Sequence, residues 1–198
     1  MSVATPIYLD NHSTTQCDPS VVEAMLPYFS ELYGNAASRT HRFGFEAKAA
    51  VELARERVAA LIGSSPKEVI WTSGATEANN LALIGAAEAQ QSQGRHIIIS
   101  QIEHKSIIDA ADVLEHRGWR VTRVAPDSEG IVPADAVCQH LCEDTTVVSL
   151  MLAHNEIGTI QPIRPVGEAC RARGVVFHVD AVQAAGRTPI RVVEDHVD

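Results

Sequence analysis

A carboxylate stands at the end of an apolar run near the C-terminal end of the sequence. Asp180 follows the run 175–179 and precedes Gln183 by three positions. We expect the run to form a buried strand, and an ionised carboxylate buried there is costly unless it meets a cation or a hydrogen-bond donor. Asp180 is therefore expected to bind a group that carries positive charge or a proton, such as a protonated aromatic nitrogen.

A second group of residues has the composition of an anion site. The segment 73–76 reads Ser-Gly-Ala-Thr at a predicted strand-to-helix turn, where backbone N–H groups, hydroxyls and the positive helix end can surround a phosphate. The alternative is an ordinary helix cap by Ser73 or Thr76, with glycine in the turn. Neither G-x-G-x-x-G nor G-x-x-x-x-G-K-[ST] occurs in the sequence, which disfavours a dinucleotide or nucleoside-triphosphate loop.

Further polar residues follow other predicted strands. Glu103 and His104 come after the run 96–100, and Asn155 comes after the run 146–153. Each has an ordinary alternative, because His104 could be a surface or capping residue, Asn155 could build a turn, and Asp180 could cap a helix. Taken together, the residues predict a pocket for a ring that is cationic on one edge and phosphorylated on another.

The elements that would position these residues alternate along the chain. Two helices come first, one starting at Asp18-Pro19 and continuing to Leu32, the other from about Gly44 to Ile62 and closed by Gly63. The predicted strands are 69–72, 96–100, 120–124, 146–153 and 175–179. The predicted helices between them are 75–91, 105–117, 133–142 and 163–173.

Such alternation predicts an α/β fold with three layers, in which helices cover both faces of a mostly parallel sheet. Ligands of these sheets bind beyond the carboxyl ends of the strands, where all the polar groups above are expected. We see no repeat or linker that would indicate a second complete domain.

Composition excludes several functional classes. The 198 residues are 45% hydrophobic and 21% charged, which suits one soluble globular domain. The net charge of -9 and the lack of a basic cluster argue against binding to a nucleic-acid backbone. Apolar runs are far shorter than the roughly 20 residues of a membrane helix, and residues 1–6 do not resemble a signal peptide. We expect a cytoplasmic protein with no membrane association.

The four cysteines do not form a recognisable framework. Cys17, Cys138, Cys142 and Cys170 are too dispersed for a disulfide pattern. A metal cluster of Cys138, His140 and Cys142 is conceivable, but on the predicted helix His140 would point away from the two cysteines. We favour packing over zinc and predict no metal site.

Several ordered motifs resemble those of one enzyme group. The segment 73–80 reads Ser-Gly-Ala-Thr-Glu-Ala-Asn-Asn, and 178–183 reads His-Val-Asp-Ala-Val-Gln. With the segments 8–15, 34–41, 103–105 and 155–158, they resemble the class V aminotransferases, and closely the cysteine desulfurases, which use pyridoxal 5'-phosphate. Gln16 departs from the proline common there. The resemblance implies the large-domain type of the pyridoxal-phosphate-dependent transferases, incomplete here, with an N-terminal arm at 1–15 and the cofactor-binding domain at 16–198.

The resemblance also assigns roles to the residues of the pocket. It implies that Ala75 and Thr76 hold the cofactor phosphate. His104, the expected catalytic residue, would stack on the pyridine ring and take part in proton transfer. Asp180 would bond the ring nitrogen and keep it protonated, which makes the ring an electron sink.

The remaining predicted contacts are Asn155 and Gln183, which would line the phenolic-oxygen edge and the substrate space. The reaction implied is conversion of L-cysteine to L-alanine, with sulfur passed to an enzyme persulfide and then to an acceptor such as an iron-sulfur scaffold protein. The resemblance further implies a homodimer.

The Schiff-base lysine of the family is not matched by Lys48, Lys67 or Lys105, and none of the four cysteines matches its nucleophile. We therefore expect the 198 residues alone not to turn over cysteine. Two alternatives stay open. One is a truncated, noncatalytic relative that acts as a binding or dimerisation module. The other is a selenocysteine lyase or another class V aminotransferase.

Overall fold

The computed structural model describes residues 6–198, so residues 1–5 of the predicted N-terminal arm lie outside the described residues. The centre of the fold is a four-stranded parallel sheet in the order β2-β1-β3-β4. Its strands are β1 His96–Ser100, β2 Arg120–Val124, β3 Thr145–Met151 and β4 Val176–Asp180. Met151 pairs with Asp180 in the register of β3 and β4, so both residues end their strands at the same edge.

Seven α-helices and one 3-10 turn are found among the described residues. They are α1 Pro19–Met25, α2 Pro27–Ser30, α3 Arg42–Ile62, the turn Pro66–Glu68, α4 Ala75–Gln90, α5 Lys105–His116, α6 Ala134–Cys138 and α7 Ile163–Arg173. None of the described helices combines the length and hydropathy that crossing a bilayer requires.

Both faces of the sheet are covered. Because successive strand residues point to opposite faces, Ile97 and Ile99 pack with the α4 and α5 residues of one buried cluster, while Ile98 belongs to a second cluster with residues of α6 and α7. Burial of both faces explains the apolar centres of β1 and β3, at 97–99 and 147–148, whereas the edge strand β2 is only partly buried and carries two arginines. The predicted three-layer α/β fold is confirmed.

The first predicted helix is interrupted. Instead of one helix from Asp18-Pro19 to Leu32, α1 and α2 meet at Pro27, which occupies the first position of α2. Proline lacks the N–H that an uninterrupted helix needs and its ring crowds the preceding turn. The second helix ends as predicted, with Gly63 in the left-handed region at φ 74°.

The predicted strand at 69–72 is wrong. These residues form no strand in the structure, and the Ile70 side chain is 71% exposed. The Arg55 guanidinium donates to the Val69 carbonyl and lies 5.5 Å from the centre of the Trp71 ring. An apolar run forms a strand only when a neighbouring strand pairs with its backbone. Here the Arg55 side chain, and not a strand, binds the Val69 carbonyl. Residues 73–76 therefore follow a loop.

Helix α6 is shorter than predicted and ends at Cys138. The chain then turns, and the Cys142 N–H donates at 3.0 Å to the hydroxyl of Thr145, the first residue of β3. Cys138 and Cys142 therefore do not share a helix face. The four-residue spacing of Cys138 and Cys142 would bring their side chains together only within a helix, and α6 ends at Cys138.

Candidate functional site

A cavity of about 390 Å³ lies at the carboxyl edge of the sheet. That volume is suited to a small organic ligand. Five of the six residues predicted to bind a ligand line it: Ala75, His104, Asn155, Asp180 and Gln183. Thr76, the sixth, is the next residue of α4 after Ala75 and is exposed, but it is not among the lining residues.

Asp180 is the most buried acid at the cavity, with only 5% of its surface exposed. The Asn79 amide donates to Oδ2 at 2.8 Å, and the Val182 backbone N–H donates to Oδ1 at 3.1 Å. Within residues 6–198, both hydrogen bonds to this carboxylate thus come from neutral groups. They orient the carboxylate without cancelling its charge, so a cationic ligand group facing the cavity would be stabilised.

The first turn of α4, which contributes Ala75 to the lining, offers hydrogen-bond donors. Its N-cap is Gly74, and no side chain caps the helix. Ser73 instead donates its backbone N–H to Glu77 at 2.7 Å, and its hydroxyl to the same carboxylate. The N–H groups of the first turn, which have no intrahelical acceptor, are left for a ligand such as phosphate. The alternative of a cap by Ser73 or Thr76 is not what the structure contains.

His104 is both a cap and a lining residue. It is the N-cap of α5, and its Nδ1 accepts the Ser106 backbone N–H at 3.2 Å and lies 2.8 Å from the Ser106 hydroxyl. The capping role that we considered as the ordinary alternative therefore exists. It fixes the imidazole at the wall of the cavity, where the ring is available to stack on a planar ligand.

Asn155 and Gln183 lie on loops at the mouth of the cavity. The turn beyond Asn155 is held by the His154 ring, whose Nδ1 accepts the N–H groups of Glu156 and Ile157 at 3.1 and 3.3 Å. Asn155 is therefore not needed to build that turn. Gln183 donates to the His12 carbonyl at 3.3 Å.

That contact brings residues of the N-terminal segment, His12 and Ser13, into the lining. Their place in the lining could not be predicted, because no long-range pairing of the segment can be inferred from its composition.

A buried acid, Glu103, contacts the cavity-lining residue Met151. No specific role for Glu103 was predicted from the sequence. Glu103 is 6% exposed, and its Oε1 accepts the Ser100 hydroxyl at 2.6 Å and the Met151 backbone N–H at 2.9 Å. No described residue bonds its Oε2. Burial raises the pKa of Glu103 to about 8, and the charge of Asp180 adds to the rise, so Glu103 is mostly neutral at pH 7.

A second polar cluster lies at the opposite edge of the sheet. His96, Cys142 and Asp144 present potential metal ligands within 4.8 Å of one another. However, Arg120 donates to the Cys142 sulfur at 3.0 Å and to Asp144 at 2.8 Å, so a cation already occupies the space. Threonine hydroxyls bond both nitrogens of His96. We interpret the cluster as an ion pair over a buried, neutral histidine.

The described residues thus fit a ligand with a cationic ring and a phosphate group. The start of α4, Asp180 and His104 all contribute to the lining of one cavity. These are the chemical groups that the sequence predicted together, now lining one cavity. What each residue does with a ligand stays a prediction.

The sequence model of the family described as Aminotransferase class-V matches residues 7–198. "Cysteine desulfurase IscS" of Anaeromyxobacter sp. (strain Fw109-5) is 50% identical over 193 residues, which are 98% of this chain and 48% of that protein. The protein of the same name from Methylobacillus flagellatus is 49% identical over 199 residues, covering 100% and 49%. The chain spans about half the length of the curated relatives it matches.

Solved structures agree with these matches. A protein titled "NIFS-LIKE PROTEIN" superposes with a TM-score of 0.92 at 40% identity, covering 97% of this chain and 53% of that one. A structure titled "SspA in complex with cysteine" also gives a TM-score of 0.92, at 32% identity, with 96% and 55% covered.

Proposed function

The chain belongs to the class V aminotransferase family, and we propose that it provides the cofactor pocket of a pyridoxal-phosphate-dependent cysteine desulfurase. The observation that carries the proposal is the cavity itself. A buried carboxylate held by neutral donors and an uncapped helix start line the same small space. The relatives named cysteine desulfurase support the choice of reaction within the family.

In this proposal pyridoxal 5'-phosphate supplies an electron sink for negative charge at the substrate α-carbon. Ala75 and Thr76 hold its phosphate with the first-turn N–H groups of α4. Asp180 keeps the ring nitrogen protonated, because its charge is not neutralised by the groups that hold it. His104 lies against the ring and exchanges protons with the substrate.

Asn155 and Gln183 contact the phenolic-oxygen edge of the ring and the neighbouring substrate space. Residues 16–198 then belong to the cofactor-binding large domain, and residues 1–15 form an arm whose His12 and Ser13 reach the cavity. The proposal includes the homodimer and the sulfur acceptor that the resemblance implies.

The proposed substrate is L-cysteine, which would leave as L-alanine after its sulfur passes to an enzyme cysteine. The solved relative titled as a complex with cysteine supports this substrate class. None of Lys48, Lys67 and Lys105 lines the cavity: Lys48 is in α3, Lys67 is in the 3-10 turn, and the Lys105 ammonium pairs with Asp109 at 2.7 Å. The covalent lysine of the reaction is therefore not assigned to any of them.

The test uses a hybrid protein in which this chain is followed by the C-terminal half of the Anaeromyxobacter relative. With pyridoxal phosphate and L-cysteine, the hybrid should release alanine and, in the presence of a thiol reductant, sulfide. L-Selenocysteine and amino-acceptor keto acids serve as competing substrates. Turnover of selenocysteine but not of cysteine, or transamination without sulfide, would refute the assignment and favour the alternative enzymes.

A further inference from the structure

Asn79 connects two functional residues of the cavity although it is not itself among the lining residues. Its side chain is 4% exposed and lies on α4, behind the cavity wall. The amide nitrogen is 2.8 Å from Asp180 Oδ2 and 3.0 Å from the Ser106 hydroxyl. Asn79 therefore bridges the end of β4 and the first turn of α5.

The direction of each hydrogen bond in this bridge follows from chemistry. An amide nitrogen only donates, and it has two hydrogens, so Asn79 gives one to Asp180 and one to Ser106. The Ser106 hydroxyl, having accepted from Asn79, can give its own hydrogen to His104 Nδ1 at 2.8 Å. The bridge thus extends from Asp180 to His104 in one consistent order.

The position of Asn79 on α4 adds a mechanical constraint. Asn79 comes four residues after Ala75, about one helical turn, so both lie on the same side of α4. The helix that offers its first-turn N–H groups to the cavity thereby also holds the Asp180 carboxylate. The spacing between the anion-binding turn and the carboxylate is set by one rigid element.

We propose that Asn79 is a positioning residue that aims the Asp180 carboxylate at the cationic ring nitrogen of the bound cofactor. This inference rests on the proposed function. An amide suits the role because it fixes one carboxylate oxygen and adds no charge. A lysine or arginine at the same place would neutralise Asp180 and remove its preference for a protonated ring.

The alternative is that Asn79 only satisfies buried polar groups. The two explanations differ in what they predict for ligands with and without a ring nitrogen. A positioning role affects only the ligand that Asp180 can bond through that nitrogen, whereas a general loss of packing affects every ligand of the cavity.

The experiment measures binding by calorimetry in Asn79→Leu, which has a similar volume, and in Asn80→Leu as the control on the same helix. Asn80 donates to the Thr76 carbonyl and does not contact Asp180. The ligands are pyridoxine 5'-phosphate, which has no aldehyde to react with lysines, and its carbocyclic analogue, in which C–H replaces the ring nitrogen.

In Asn79→Leu we expect roughly tenfold weaker binding of pyridoxine phosphate and about the same affinity as wild type for the analogue, since one hydrogen bond to a charged group is lost. Asn80→Leu should show no such difference between the two ligands. If Asn79→Leu weakens both ligands equally, or neither, the positioning role is refuted.

Circular dichroism shows whether Asn79→Leu folds. If it does not, Asn79→Ala is measured with the same two ligands and the same outcomes apply. Failure of the proposed function is seen separately, because the wild-type chain would then not bind pyridoxine phosphate at all.

Discussion

The carboxyl group of Glu103 accepts a hydrogen bond at 2.9 Å from the backbone N–H of Met151, the residue that pairs with Asp180 across the sheet. A buried acid thus holds the end of β3 next to the strand end that carries the Asp180 carboxylate. The charge of Asp180 adds to the burial that raises the pKa of Glu103, because a second negative charge on Glu103 would be repelled.

Glu103 should make stability depend on pH. Its folded pKa, raised by burial to about 8, exceeds its ordinary value of 4.5. Between these values the folded chain keeps a proton that the unfolded chain has lost, so the free energy of unfolding falls as pH rises, by about 1.4 kcal/mol per pH unit, and levels off above the folded pKa.

Burial lowers the pKa of His96 to about 4, which gives the opposite slope below its ordinary value of 6.5. The window that isolates Glu103 is therefore from pH 6.5 to 8. Urea unfolding across this window should show a shallower slope in Glu103→Gln than in wild type, with the exposed Glu143→Gln as control. Parallel slopes in all three proteins would contradict a neutral Glu103.

Asp180→Asn should preserve the fold and impair the chemistry. The new amide oxygen can still accept from Asn79, but the negative charge that favours a protonated ring is gone. We expect alanine release by the hybrid protein to fall on the order of 100-fold, since a preorganised electrostatic contact is removed. The matched control is Asp109→Asn, on the exposed face of α5, which should leave the rate of alanine release unchanged. An active Asp180→Asn protein would show that the carboxylate is not needed.

His104 should carry its hydrogen on Nε2 when the ring is neutral. Two donors of Ser106 converge on Nδ1, and the hydroxyl is itself an acceptor of the Asn79 amide. Nitrogen-15 NMR of the ligand-free chain at alkaline pH should therefore show Nδ1 with the chemical shift of an unprotonated nitrogen. A protonated Nδ1 would mean that the ring donates to the Ser106 hydroxyl, which would reverse the His104–Ser106 link of the bridge and leave the Asn79 donations unchanged.

Borohydride reduction should not trap the cofactor in the cavity of the chain alone. Lys48, Lys67 and Lys105 all lie elsewhere, so any reduced adduct with pyridoxal phosphate should form at exposed lysines. The measurement is intact mass followed by peptide mapping, with and without excess pyridoxine phosphate as competitor. An adduct that the competitor abolishes would place a reactive lysine at the cavity and overturn this expectation.

Much of the fold was predictable because its signals are local. The bounds of β1, β2 and α7 agree with the apolar runs and helical patterns. The predictions of secondary structure were wrong where strand pairing or a proline determines the conformation. Residues 69–72 have a strand-like composition but no strand to pair with among the described residues, and Pro27 outweighs the helical spacing around it.

The site was predictable only as far as strand ends reveal it. Asp180, His104 and Asn155 could be placed at one edge because parallel strands end together. The roles of Asn79 and Glu103 could not be predicted from the sequence. Asn79 contacts Asp180, 101 positions away, and Glu103 contacts Met151, 48 positions away. Nothing in the local pattern distinguishes such a residue from an ordinary polar one.

Helix α4 contributes to the proposed ligand site twice, through its own first turn and through Asn79, which holds Asp180 at the end of β4. A substitution that tilts it, even at a distant position such as Leu83 in the core, would displace the anion-binding turn and the Asp180 carboxylate in concert. Such a tilt would therefore alter the affinity for the phosphate and the affinity for the charged ring together. A substitution at Asn79 differs from such a tilt, because it removes only the link between α4 and Asp180 and leaves the first turn of the helix in place.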